Sequence, residues 1–176
     1  MSLRPLFEWA DALPSSIALR ESFNAYPLLL TSHVVSMCLF AGLIMLWDFR
    51  LVGVALKPSR ISDLPTQVFP WALSGFAISF ITGGLLLYSK PMTYFGNFYF
   101  WFKMLAMALA ALNLVWFHYV TEKTIANWDE GKPTPGSAKF AGIASLALWA
   151  AVIVTGRLMA YSGLAPKWWD ALGIGS

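Results

Sequence analysis

Residues Tyr26–Trp47 read YPLLLTSHVVSMCLFAGLIMLW, 22 residues without a Lys, Arg, Asp or Glu. An α-helix rises about 1.5 Å per residue, so this stretch covers the ~30 Å hydrocarbon core of a bilayer. It predicts a membrane span, and helical continuation as far as Leu56 is open. Three further stretches qualify: about Trp71–Tyr88, about Phe98–Val120 interrupted by Lys103, and about Phe140–Tyr161 interrupted by Arg157. Tyr26, Trp47, Trp71, Tyr88, Tyr119 and Tyr161 stand at the boundaries, where amphipathic rings settle at the headgroup level.

The bulk composition agrees with four spans. The 176 residues are 58% hydrophobic and 12% charged, with nine Trp, thirteen Phe and a mean hydropathy of +0.62. Soluble domains carry about 25% charge. The composition excludes a disordered chain and argues against a water-soluble globule. The net charge of +3 comes from twelve dispersed Lys and Arg, without a basic run, so nucleic-acid binding has no support. The single cysteine, Cys38, excludes an intramolecular disulfide and a Cys-rich metal cluster. No cleavable signal peptide is in view, so the first span is expected to act as its own insertion signal.

The linkers carry turn chemistry: Lys57-Pro58-Ser59-Arg60, Ser89-Lys90-Pro91 with Gly96-Asn97, and Asp129 through Gly136. Short loops between spans predict one all-α domain, an up-down-up-down four-helix bundle. The segment 1–23 reads as a short amphipathic surface element. Phe7, Trp9, Ala10 and Leu13 are expected on one face, with Ser15 or Ser16 capping a following helix. The segment 164–176, with Trp168 and Trp169, is expected to lie on the surface in the same way. Arg50, Lys57, Arg60, Lys123, Lys132 and Lys139 flank one side, against Arg4, Arg20, Lys90 and Lys167 on the other. By the positive-inside rule, both termini are expected outside the cytoplasm. Small residues at four-residue steps, Gly75, Ser79 and Gly83 in the second span, predict close helix contact. Ala106 and Ala110, and Ala141 or Gly142 with Ser145, suggest the same for the third and fourth spans.

Both histidines fall within spans, and intramembrane ionisable groups are functional-site hypotheses by default. Imidazole is the usual protein ligand of b-type haem, so His33 and His118 are candidate axial ligands. The plainer reading is a histidine bonding between helices. His33 lies early in its span and His118 late in a parallel one, which sets their depths roughly 15–20 Å apart. They cannot ligate one iron within a single chain. Two layouts remain: separate sites with different second ligands, or a two-fold homodimer pairing each histidine with its copy. Lys103 and Arg157 share the layer of His33, and Arg50 that of His118. Each is a candidate partner for a haem propionate, and each could instead snorkel to headgroups. The plainer alternative for Arg50 is mutual neutralisation with Asp48 at the interface. A copper reading rests on His33 with Met37 one turn on and Cys38 adjacent, and on Met107, Ala111 and His118 along one stripe.

No phosphate-binding glycine loop, His-Glu-x-x-His helix or nucleophile elbow is present, and the spans hold no acidic relay. The pattern Phe7-x-Trp9, Leu19-Arg20-Glu21-Ser22, Tyr26-Pro27, His33-Val34 and Asp48-x-Arg50-Leu51 resembles a family of small bacterial four-helix membrane proteins, a domain of unknown function. Pro70-Trp71, Thr82-Gly83, Lys103, Phe117-His118, Trp128-Asp129 and Gly156-Arg157 extend the resemblance over nearly the whole chain. It implies a bacterial cytoplasmic-membrane location and carries no catalytic residue. The sequence thus points first to a haem-binding or electron-transfer subunit that is not a stand-alone catalyst. Second comes a cofactor-free accessory or anchoring subunit of a membrane complex, and third a copper-handling membrane protein.

Overall fold

The computed structural model describes residues 3–56, 63–121, 125, 133–161, 166 and 168–169. The chain is helical, and no strand occurs among the described residues. Two short helices, α1 (Arg4–Asp11) and α2 (Pro14–Glu21), precede the long helices α3 (Ala25–Val52) and α4 (Asp63–Ser89). Then come the single turn α5 (Pro91–Phe95), α6 (Phe98–Trp116) and α7 (Gly136–Leu158). Four segments are long and apolar enough to cross a membrane: Ala25–Val52, Thr66–Ser89, Phe98–Val120 and Gly136–Leu158. Large apolar side chains such as Leu28, Val35, Ile78, Leu105 and Val154 stay exposed on them. An apolar exterior is what a lipid-facing surface requires.

The boundaries depart from the sequence reading for identifiable reasons. The first long helix stops at Val52, short of Leu56, because Gly53 turns left-handed (φ +86°) and its N–H bonds back to Phe49 and Arg50 carbonyls. The second begins eight residues before Trp71 and carries Pro70 inside it. Proline costs one backbone hydrogen bond there, which neighbouring groups in a bundle can offset. Asn97 caps α6 by accepting the Tyr99 N–H at 2.9 Å. Beyond Trp116 the helix loosens into a π-helical turn, Phe117–Thr121.

Side-chain registers fix the directions of the neighbours. Along α3, His33 meets Ser79, Phe40 meets Phe76 and Trp47 meets Phe69, so α4 runs antiparallel to it. Phe40 against Trp149, and Leu51 against Gly142, set α7 antiparallel to α3 on another side. Asn97 with Met159, and Asn113 with Ala141, pair α6 with α7. Helices α3 and α7 are therefore the inner pair, flanked by α4 and α6. At the end where α3 finishes, Trp47, Leu51, Leu64, Phe117, Ala138 and Ala141 form the apolar core. Trp47 is 6% exposed and is a core residue, not the boundary ring expected of it; Phe69 and Phe117 hold it edge-on.

The opposite end carries a cap of short helices. Phe7 of α1 stacks on Phe95 of α5 at 5.0 Å, and Arg20 of α2 reaches Asp11 at 3.0 Å. Trp9 points away and is exposed, so it does not share the face of Phe7. Ser16 caps no helix start. It is wholly buried and donates to the Tyr88 carbonyl at 2.8 Å, satisfying one of the last acceptors of α4. Ser15 bonds the Tyr88 hydroxyl. The Trp169 indole donates to the Gly96 carbonyl at 2.8 Å, and both tail tryptophans lie edge-on to Phe98. The rest of the tail lies outside the described residues. So do the loop residues Lys57–Arg60, Lys123, Trp128–Lys132 and Lys167, on which the topology count leaned.

Candidate functional site

The small-residue stripe of α4 brings two backbones together. A Cβ on Gly75 would stand 3.0 Å from the Phe40 amide nitrogen and 3.1 Å from the Ser36 carbonyl oxygen. Two turns further along α4, Gly83 faces the ring of His33: a Cβ there would lie 2.9 Å from Cε1 and 3.3 Å from Nδ1. The missing side chain is the space in which the imidazole lies.

The ring is oriented by oxygens of α4. His33 Nδ1 stands 2.9 Å from the Ser79 carbonyl, with the Thr82 and Ser79 hydroxyl oxygens at 3.2 and 3.4 Å. A carbonyl only accepts, so Nδ1 carries the hydrogen and the Nε2 lone pair of the neutral ring is left over. The hydroxyls are consistent with that role. Thr82 donates to the Ile78 carbonyl at 2.7 Å, and Ser79 points its hydrogen at the Met37 sulfur, 3.7 Å away. In metal-ligating histidines the ring nitrogen away from the metal commonly donates to a backbone carbonyl in this way, which fixes the tautomer and orients the ring.

A cation shares this layer. Lys103 of α6 lies within electrostatic reach of His33, and its Nζ is 3.9 Å from the position a Cβ on Gly156 of α7 would take. Among the described residues, Lys103 has no hydrogen-bond or ion-pair partner. Arg157 turns the other way. It is exposed and bonds the Tyr161 hydroxyl at 3.1 Å, the posture of a side chain reaching for headgroups. Four helices thus contribute to one layer, with His33, Ser79, Thr82 and Lys103 as its polar members.

The other candidates are not brought there. His118 sits exposed on the π-helical turn, edge-on to Tyr119 at 5.2 Å. Its neighbour Phe117 meets Trp47, which lies 14 residues beyond His33 on α3, or ~21 Å along the axis. Arg50 is half-buried at that same end. Of the copper set, Met37 is half-buried with its sulfur on the Ser79 hydroxyl that also reaches His33, whereas Cys38 is exposed. No group of three or more His, Cys, Asp or Glu side chains gathers among the described residues.

The residue that sequence reasoning misplaced is Asp48. It forms no ion pair with Arg50 at an interface. It is 3% exposed, faces α7, and takes a hydrogen bond from the Ser145 hydroxyl, while Oδ2 has no partner. The signal lay in α7: Gly142 makes room, since a Cβ there would stand 3.2 Å from the Asp48 carbonyl oxygen, and Ser145 follows three residues later on the same face.

Residues 6–162 match the family model described as Family of unknown function (DUF6644), and the chain belongs to that family, as its motifs suggested. No curated protein and no solved structure matches the chain.

Proposed function

We propose that this member of the family is a multi-pass membrane protein that binds b-type haem in the His33 layer and serves as an electron-transfer subunit. One observation carries the reading: His33 is set as a ligand, its Nδ1 hydrogen held by the Ser79 carbonyl at 2.9 Å and its ring laid in the space of Gly83. Lys103, without a partner in this layer, is the natural hold for one propionate. Arg157 at the headgroup level suits the other. Bound haem iron supplies the one-electron chemistry; the chain supplies an oriented imidazole, a cation and apolar walls. A second ligand for such a haem would be supplied by a second copy or another subunit. His118 with Arg50 nearby is a weaker position for a second group, because its ring is exposed and needs a partner subunit to enclose it. The family resemblance supports a bacterial cytoplasmic membrane, and the charge bias supports both termini on its non-cytoplasmic side.

The visible spectrum of the detergent-purified protein, expressed with haem supplied, tests the reading. A reduced-minus-oxidised difference with b-type bands is expected. It is lost in His33→Ala and weakened in Lys103→Gln, while circular dichroism confirms that both variants stay helical. Colourless wild-type protein refutes it.

A cofactor-free accessory or anchoring role is the second reading. The oxygens that His33 reaches all belong to α4, so the ring also works as a bolt between two helices. That role gives colourless protein whose helix pairing loosens in His33→Ala. Metal analysis of the same sample tests the copper reading.

A further inference from the structure

Asp48 lies far from the His33 layer and has no part in the proposed haem site. Its depth is the starting point: four residues before the end of α3, about one helical turn inside the bundle, and 3% exposed. The carboxyl is enclosed by the α3–α7 seam, where Leu51 is 2% exposed and Ala141 of α7 likewise. Ser145 donates a hydrogen bond to it, and Oδ2 is buried without a partner. Among the described residues, the charged side chains of that end are Arg50 on α3 itself, Asp63 on α4, His118 on the π-helical turn and Lys139 on α7. The hydrogen-bond partner of this carboxyl among the described residues is Ser145. Phe69 and Phe117, the neighbours that α4 and the π-helical turn set against adjacent Trp47, are apolar.

A carboxylate in such a seam would hold a full charge beside a single hydroxyl donor. Burying an unpaired charge is far costlier than burying an unpaired neutral hydroxyl. We propose that Asp48 is a proton-binding site, held as the neutral acid in the α3–α7 seam, which releases its proton only when that seam parts. Release breaks the O–H bond at Oδ2 and passes the proton to water at the loop end. The carboxylate left behind exchanges the Ser145 hydrogen bond across the parted seam for bonds to water. Rebinding reverses the step without any co-reactant.

Infrared spectroscopy of the full-length protein in lipid vesicles tests this. The difference between wild type and Asp48→Asn at neutral pH is expected to show a carboxylic-acid C=O band, well separated from carboxylate absorption. Ser145→Ala is expected to move that band to higher frequency, because the carbonyl loses its donor. The Ser145→Ala shift is read against wild type, so it stands even if Asp48→Asn folds poorly. Absence of an Asp48-dependent acid band at neutral pH overturns the proposal, as does a band that Ser145→Ala leaves unmoved. The bands are read with or without haem, so failure of the haem reading leaves this result intact.

Discussion

Adding one methyl group at Gly83 gives the sharpest test of the His33 layer. In Gly83→Ala the new Cβ would stand 2.9 Å from His33 Cε1 and 3.3 Å from Nδ1, closer than carbon atoms tolerate. The ring must swing away and give up its 2.9 Å bond to the Ser79 carbonyl. Losing that bond costs about 1 kcal/mol. Overpacking adds about 1–3 kcal/mol, and the better helix propensity of Ala returns roughly 0.5–1 kcal/mol. The expected net loss is therefore about 1–3 kcal/mol. Two neighbours calibrate it. Gly84 has nothing within 4 Å of its Cβ position, so Gly84→Ala should be neutral or slightly stabilising. At Gly75 the obstructing atoms are backbone, Phe40 N and Ser36 O at 3.0 and 3.1 Å, which cannot swing, so Gly75→Ala should cost the most. Denaturant titration in mixed micelles should give the stability order Gly84→Ala, Gly83→Ala, Gly75→Ala from highest to lowest. In a His33→Ala background the Gly83 clash disappears, so the double mutant should show a coupling of about 2–4 kcal/mol, the bond and overpacking terms together. Strict additivity of the two substitutions refutes the placement of the ring over Gly83.

Two further outcomes concern the cap. Ser16→Val removes the donor to the Tyr88 carbonyl and forces branched methyls into a wholly buried position; α2 is expected to detach from α4, read as faster proteolysis within residues 13–23 at a bundle stability lowered by about 1–3 kcal/mol. Burial first, and then the adjacent Tyr26 phenol with its hydrogen bond, push the Tyr94 phenol above the ordinary range. The sign follows: the native state keeps this proton where the unfolded chain loses it, so stability is constant below the unfolded pKa of about 10 and falls as pH rises beyond it. A spectrophotometric alkaline titration should show one tyrosine that ionises only on unfolding, and Tyr94→Phe should abolish that late step.

Four spans were legible because membrane helices announce themselves by length and apolarity, which a single chain displays without any partner. The stripe Gly75, Ser79 and Gly83 was legible for the same local reason, since small residues at four-residue steps share one helix face. What could not be read was which long side chain enters the space they leave. Arg157 and Lys103 look alike in sequence, each a lone cation in an apolar run. Only the packing of α6 on α7 turns Lys103 inward against Gly156 and leaves Arg157 outside with Tyr161. Trp47 and Asp48 were assigned to an interface because they end an apolar run. Helix α3 extends past them to Val52 and is enclosed there by α4, α7 and the π-helical turn, so both are buried.

The position of α3 also explains why His33 and Asp48 behave as separate sites. From His33 to Asp48 is 15 residues, which at about 100° and 1.5 Å per residue means a rotation of ~60° and a rise of ~22 Å. A helix in contact with one neighbour would hold both groups in one seam or leave one in lipid. Because α3 touches α4 on one side and α7 on another, the rotation carries His33 into the α3–α4 seam and Asp48 into the α3–α7 seam. Each meets a small-residue pair there, Ser79 with Gly83 in one case and Gly142 with Ser145 in the other. The same device, a glycine for room and a serine for a hydrogen bond, is used twice, at opposite ends and in different seams. A change that opens the α3–α7 seam can therefore expose Asp48 while the α3–α4 contacts that orient His33 stay made.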